Sequence, residues 1–165
     1  MWYQPEGNEF AGKTVVIAGQ GPSLVPAQLT YLQEHLTTIA LKDTYIHAPN
    51  ASIVYACDRI WWADRWKTDQ ALRDHRGIRL CLDWQRMDTG IPDLWWLKSA
   101  GAKGLAATPG YVKHSNNTGQ QAVDLAVGMG AKRILLLGYT MKQVNGRSHR
   151  SEERRVGEEC RYRWS

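Results

Sequence analysis

The sequence is poor in cysteine and has no long apolar run. Its 165 residues contain three cysteines, Cys57, Cys81 and Cys160, without C-x-x-C spacing. A disulfide framework and a cysteine zinc site therefore gain no support, and we expect reduced, buried thiols. No apolar stretch approaches the roughly 18 residues of a membrane span, and the N-terminus lacks the basic-then-apolar order of a signal peptide. These absences predict a cytoplasmic protein without a membrane span.

The chain also lacks any concentration of charge of one sign. Its net charge of +5 comes from basic and acidic residues that are interspersed, so a nucleic-acid partner is not indicated. Tryptophan, by contrast, is abundant: there are eight, with pairs at Trp61-Trp62 and Trp95-Trp96. Such residues form a stacking platform or a core, and core is the expectation.

Five short apolar runs predict β-strands separated by helical segments. The strands are predicted at Thr14–Ala18, Thr37–Leu41, Ser52–Ala56, Ile78–Leu82 and Arg133–Leu137, with a further short strand at Lys103–Ala106. Continuous apolar strands that alternate with helices indicate a parallel sheet covered on both faces. We therefore predict one α/β domain, a Rossmann-like open, mostly parallel sheet with helices on both faces.

Helical spacing is clearest in two segments. Pro26 to Leu36 carries leucines at positions 29, 32 and 36, and Thr118 to Met129 places Ala122, Leu125, Ala126 and Met129 on one face before Gly130 ends it. The segment 58–76 mixes aromatic, aliphatic and charged residues at helical spacing, and its acidic and basic positions are typical of a solvated face. The glycine- and proline-rich region 83–114 is predicted to be a loop or lid over the sheet edge.

The stretch G-Q-G-P-S, Gly19 to Ser23, follows the first strand and predicts a loop that approaches a ligand closely. Ligands bind beyond the carboxyl ends of strands in open α/β sheets, where Asp43, Asp58 and Tyr139 are also expected. The polar run 115–119 precedes the late helix, whose N-terminus favours phosphate or carboxylate.

Main-chain amides from these two turns are expected to converge on one anion, and Gly21→Val is expected to block binding while leaving the fold intact. The alternative role of Ser23 is the N-cap of the first helix. Leu24 replaces the third glycine of G-x-G-x-x-G, and no G-K-[ST] follows, so neither an NAD site nor a P-loop is indicated.

The motifs G-Q-G-P-S-L, Cys57-Asp58 and N-T-G-Q-Q-A-V-D-L-A-V-G-M-G-A-K-R-I-L-L-L-G-Y resemble two related families over about residues 13–141. These are the family 42 bacterial sialyltransferases and the 6-hydroxymethylpterin diphosphokinase-like proteins (domain of unknown function 115). Small phage-encoded proteins are similar to both. The resemblance implies a nucleotide or nucleotide sugar, with CMP held by the loops that contain Gly19, Gln20, Gly21, Pro22, Ser23, Asn117, Thr118 and Gly119.

The resemblance has departures. Lys42-Asp43 stands where an amide residue is usual, and Thr140 occupies a common aspartate position. The sialyltransferase catalytic histidine comes from beyond the late strand, so His149 is one catalytic candidate. The other is Asp58, a carboxylate at the end of a strand, where side chains often face the ligand crevice. The diphosphokinase alternative transfers diphosphate from ATP to a pterin-type alcohol and would need Mg²⁺, with Asp58 its expected ligand. The other alternative is a non-catalytic phage accessory or morphogenetic protein on the same scaffold.

Several of these candidates also have ordinary structural roles. Asp58 can be the N-cap of a helix, His149 and His114 can lie in solvated loops, and Tyr139 can pack at the end of its strand. His35, His47 and His75 are expected at the surface. The last sixteen residues, from Arg150, resemble a translated sequencing adapter, and we predict that residues 150–165 are a non-native tail. The rest of the chain is predicted to be an N-terminal extension, 1–12, and a domain, 13–149.

Overall fold

Seven parallel strands form one open sheet in the computed structural model, which describes residues 1–83, 89–106, 108–114 and 117–140. The strands are β1 (Thr14–Ala18), β2 (Thr37–Leu41), β3 (Ile53–Tyr55), β4 (Ile78–Asp83), β5 (Leu94–Ser99), β6 (Tyr111–Val112) and β7 (Arg133–Leu137). Their order is β6-β5-β4-β3-β2-β1-β7. The chain proceeds outward from β1 to β6 and then returns to the other side of β1. The connection therefore reverses between β1 and β7, the kind of position at which open α/β sheets bind ligands.

Within the described ranges, four α-helices and one 3₁₀ helix lie between these strands. They are α1 (Pro26–His35), the 3₁₀ helix (Lys42–His47), α2 (Arg59–Thr68), α3 (Gln70–Asp74) and α4 (Thr118–Gly128). Three of the helices have an N-cap side chain that accepts hydrogen bonds from amides of the first turn: Asp58 for α2, Asp69 for α3 and Asn117 for α4. None of the helices in the described ranges has the length and apolarity needed to cross a bilayer.

Alternate residues of each strand enter two separate cores, because successive strand side chains point to opposite faces. Val16 and Ala18 pack with Leu29 of α1, and the same core contains Trp62 of α2 and Leu72 of α3. The other core combines strand residues with one face of α4, namely Val15, Ile17, Ala122, Leu125, Ala126 and Met129. The α/β architecture and the predicted helical stripes are confirmed, with α1, α2 and α3 on one face and α4 on the other.

The region predicted to be a loop or lid contains two strands. The strand Leu94–Ser99 pairs with β4 from Leu94 to Lys98, and Tyr111–Val112 pairs with the end of β5. Trp96 and Leu97 enter opposite cores, so apolar burial outweighs the neighbouring glycines and prolines that suggested a loop. The strand predicted at 103–106 was wrong, since these residues lie between β5 and β6 without strand pairing.

The N-terminal residues form hydrogen bonds with the sheet. Tyr3 donates its amide to the Trp96 carbonyl, and the Trp96 amide donates to the Met1 carbonyl. Phe10 is buried among the side chains of the α4 core. Residues 1–12 therefore complete the packing beside β5 and beneath α4.

His75 is buried, so the prediction that it lies at the surface was wrong. It ends α3, where its Nδ1 accepts from the Gly77 amide and its ring meets Tyr45 edge-on. Within the described part of the chain, Nε2 has no hydrogen-bond partner. Burial, followed by the nearby Arg79 charge, lowers the pKa of His75. His35 is exposed, as predicted, and His47 is half-buried.

The lowered pKa of His75 predicts a loss of stability in mild acid. The unfolded chain binds a proton at His75 near pH 6.5, whereas the folded chain resists it. The free energy of unfolding should therefore fall as the pH drops below about 6.5. His75→Gln removes this titration and should flatten the dependence between pH 7 and 5 in urea denaturation. The exposed control His35→Gln should keep the slope of the parent, and an unchanged slope in His75→Gln would contradict the assignment.

Candidate functional site

The candidate site lies along the carboxyl edge of the sheet, which we call the rim. It contains the loop 19–23 after β1, Lys42 and Asp43 after β2, Cys57 and Asp58 after β3, residues 138–140 after β7, and the start of α4. Because β7, β1, β2 and β3 are neighbours in the sheet, these loops are neighbours too.

The ring of Tyr139 lies between the two turns that the sequence singled out. A Cβ placed on Gly19 would lie 3.2 Å from Cδ2 of Tyr139, and one placed on Gly119 would lie 2.7 Å from its Cε1. The Tyr139 hydroxyl donates to the Gly119 carbonyl at 3.1 Å. Burial raises the pKa of this phenol. The turns at 19–23 and 117–119 therefore share one part of the rim, and Tyr139 packs between them.

The glycine loop packs on the backbone that follows β7. The Gly19 amide donates to the Leu137 carbonyl at 2.7 Å, and the Gly21 amide donates to the Gly138 carbonyl at 2.8 Å. A Cβ on Gly21 would lie 2.3 Å from the Gly138 oxygen. The expectation that Gly21→Val leaves the fold intact was therefore wrong, because this glycine permits contact between two loops. An anion at the rim must be held by groups other than these two amides.

The side chain of the N-cap residue Asn117 accepts hydrogen bonds from the first amides of α4. Asn117 Oδ1 accepts from the amides of Gly119 at 2.8 Å and Gln120 at 3.3 Å. Thr118 instead uses its side chain, whose Oγ1 lies 3.1 Å from Cys57 Sγ. The expected anion contact at this helix would compete with the Asn117 side chain for these amides.

Asp43 is the centre of a polar network that joins the glycine loop to α2. Its Oδ2 accepts from Gln20 Nε2 at 3.3 Å, and its Oδ1 accepts from Trp61 Nε1 at 3.2 Å. Arg65 Nη2 lies 2.8 Å from the same Oδ1. Lys42, just before it, has a φ of 49°, a conformation that is uncommon for residues other than glycine. Sequence reasoning missed Trp61 and Arg65, whose only signal was their position in the first two turns of a helix that starts at the rim.

The solvated face predicted for 58–76 was correct in part. Asp64 and Asp74 are exposed, but Arg65 binds Asp43 as described above. Asp69 caps α3 and accepts a hydrogen bond from the Tyr45 hydroxyl. These contacts tie α2 and α3 to the rim rather than leaving them in solvent.

Asp58 occupies the N-cap of α2. Its Oδ1 accepts from the amides of Ile60 at 2.9 Å and Trp61 at 3.4 Å. The structural alternative for this residue is thus confirmed, whereas its catalytic and Mg²⁺-binding roles stay predictions. Among the described residues, no group of three or more acidic, histidine or cysteine side chains is arranged to hold a metal ion.

Ser23 is exposed and does not cap α1. The N-cap of α1 is Val25, which makes no side-chain cap, and Pro26 fixes the first helical turn. The alternative role of Ser23 as an N-cap is therefore wrong, and Ser23 is an exposed residue that follows the half-buried Pro22. Of the thiols, Cys81 is buried as expected and Cys57 is half-buried. His149, Cys160 and the predicted tail lie outside the described residues.

Comparison of the chain with protein-family models, with curated proteins and with solved structures finds no match. The geometry of the rim is therefore the basis for a functional proposal.

Proposed function

We propose that this protein binds a nucleotide or nucleotide sugar at the rim, as a transferase-like domain of the kind that its motifs resemble. The observation that carries the proposal is the meeting of the turns at 19–23 and 117–119 around Tyr139. This meeting point adjoins β1 and β7, where the chain connection reverses, and such reversals form ligand crevices in open α/β sheets.

Side chains rather than the glycine amides are the groups offered to the ligand. Ser23 is an exposed residue of the first turn, and its side chain carries a hydroxyl. Gln20, in the same turn, offers an amide that donates to the Asp43 carboxylate at 3.3 Å. A phosphate near Ser23 and a sugar hydroxyl near Asp43 would satisfy both kinds of group. If the protein is catalytic, His149 is the proposed base that activates the acceptor hydroxyl.

Ligand titration tests this proposal. We expect CMP to raise the melting temperature of the full chain, because a ligand that binds only the folded state stabilises it. Ser23→Ala should weaken binding about tenfold, the value of one hydrogen bond to a charged group. The control Ser52→Ala changes an equally exposed serine before β3, at the opposite edge, and should bind as the parent does.

The same titration separates the alternatives. A larger shift with ATP and Mg²⁺ than with CMP would favour diphosphate transfer. Absence of any shift with either nucleotide would contradict the proposal.

A non-catalytic scaffold is the second candidate, and one observation favours it. Leu135 and Leu136 of the edge strand β7 are 41% and 48% exposed. They lie on opposite faces, because their β1 partners Val16 and Ile17 belong to different cores. All-parallel sheets are normally covered on both faces, so these leucines suit contact with another protein. A defined oligomer in light scattering, together with no nucleotide response, is the result expected of this candidate.

A further inference from the structure

A serine and a histidine meet at the end of the rim that is distant from the nucleotide-binding turns. Ser99 ends β5, and His114 follows β6. Ser99 Oγ lies 2.6 Å from His114 Nδ1, and both side chains are half-buried. A hydroxyl hydrogen-bonded to an imidazole is the arrangement that makes serine a nucleophile, since the imidazole removes its proton during attack.

Backbone hydrogen bonds between β5 and β6, which continue past the ends of both strands, hold the two residues side by side. Ser99 is the register partner of Val112, and the Ala100 amide donates to the Val112 carbonyl at 2.9 Å. Beyond the strand, the His114 amide donates to the Gly101 carbonyl at 2.9 Å. Both backbones are thus fixed next to the hydrogen-bonded side chains, and a site on such paired elements is more precisely held than one on a free loop.

Two lysines adjoin the pair in sequence, and both contact other parts of the chain. Lys98, the neighbour of Ser99, places its Nζ 5.3 Å from the ring of Trp2 and 5.4 Å from the ring of Tyr111. Lys113, the neighbour of His114, donates its Nζ to the Ala100 carbonyl. The ammonium groups of both lysines therefore contact neighbouring groups of the chain, and the proposal rests on the Ser99–His114 hydrogen bond.

We propose that Ser99 and His114 form a nucleophile–base pair that cleaves small acyl esters. With its ring proton on Nε2, His114 accepts the Ser99 proton at Nδ1 while Oγ bonds to the ester carbonyl carbon. The carbon–oxygen bond to the alcohol then breaks, and His114 returns the proton to the departing oxygen. Water attacks the acyl-serine and gives its proton to His114. The carboxylic acid leaves, and that proton restores the Ser99 hydroxyl.

Hydrolysis of p-nitrophenyl acetate by the full chain tests the proposal. Base catalysis of this kind contributes roughly 10²–10⁴-fold, so Ser99→Ala and His114→Gln should each lower the rate by about a hundredfold. The control variants Ser52→Ala and His35→Gln, both at exposed positions, should keep the rate of the parent.

Two further measurements separate catalysis from a structural role. A fluorophosphonate should form an adduct on Ser99 of the parent, located by mass spectrometry, which requires no variant to fold. Ser99→Cys should restore acyl-enzyme formation, because a thiol can replace the hydroxyl as nucleophile. A parental rate in Ser99→Ala, or a fluorophosphonate adduct absent from Ser99, would overturn the proposal.

Discussion

Gly21→Ala is expected to destabilise the protein by about 3 kcal/mol, the upper part of the range for overpacking in a well-packed region. The added Cβ would lie 2.3 Å from the Gly138 oxygen, 2.9 Å from its carbonyl carbon and 3.1 Å from the Thr140 amide. All three are backbone atoms, which cannot move aside by changing a rotamer. The loops after β1 and β7 would have to separate, breaking the hydrogen bond from the Gly21 amide to Gly138. Urea denaturation measures the change.

Gly128→Ala is the matched control for this substitution. Gly128 is the last residue of α4. A Cβ added to it would lie 3.7 Å from its nearest neighbour, the Thr108 carbonyl oxygen, which is an ordinary contact distance. Alanine is the better helix former by up to about 1 kcal/mol, so this variant should be as stable as the parent or more stable. If Gly21→Ala behaved like Gly128→Ala, the close packing of the two rim loops would be contradicted.

Asp124→Ala is expected to cost about 3 to 5 kcal/mol, because it leaves two amide donors without an acceptor. Asp124 lies on α4 and is buried. Its Oδ1 accepts from the Ala106 amide and its Oδ2 from the Lys113 amide, each at 2.6 Å. One carboxylate thus attaches α4 to the segments on both sides of β6. Urea denaturation gives the stability, and hydrogen exchange at the two amides locates the effect.

Variants of two aspartates calibrate that prediction. Asp124→Asn keeps the shape but replaces one acceptor oxygen with a donor, so an intermediate loss is expected. Asp64→Asn changes an exposed helical aspartate on α2 and should lie within about 0.5 kcal/mol of the parent. Fast exchange at Lys113 but not at Ala106 in Asp124→Ala would show that a single contact carries the stabilisation.

Several backbone amides at the rim already have hydrogen-bond partners within the protein, which limits the groups that can bind a ligand. Gly19 and Gly21 use their amides to join β1 to β7, and Asn117 satisfies the first turn of α4. Glycines that follow a strand can allow either close packing of two loops or close approach of a ligand. In this protein Gly19 and Gly21 allow the loop after β1 to pack on the loop after β7. Ser23 and the network around Asp43 are therefore the sharper targets for mutagenesis.

The alternation of apolar strands with helical stripes determined the α/β architecture from sequence alone. Thr14–Ala18, Thr37–Leu41 and Arg133–Leu137 were predicted with the bounds that the structure has. Local patterns suffice for the first two strands, because a strand buried on both faces is mostly apolar and a surface helix carries a stripe. The third strand, β7, is apolar although several of its residues are exposed. The same reasoning put the loops after these strands at one edge.

The strand Leu94–Ser99 was missed because nearby glycines and prolines suggested a loop, whereas pairing with β4 and burial in both cores decided its structure. Burial of His75, the network around Asp43, the amide contacts of Asp124 and the Ser99–His114 pair likewise needed the tertiary structure. Each joins residues distant in sequence, and the partner of a polar group follows from which elements lie side by side, information that no local pattern contains.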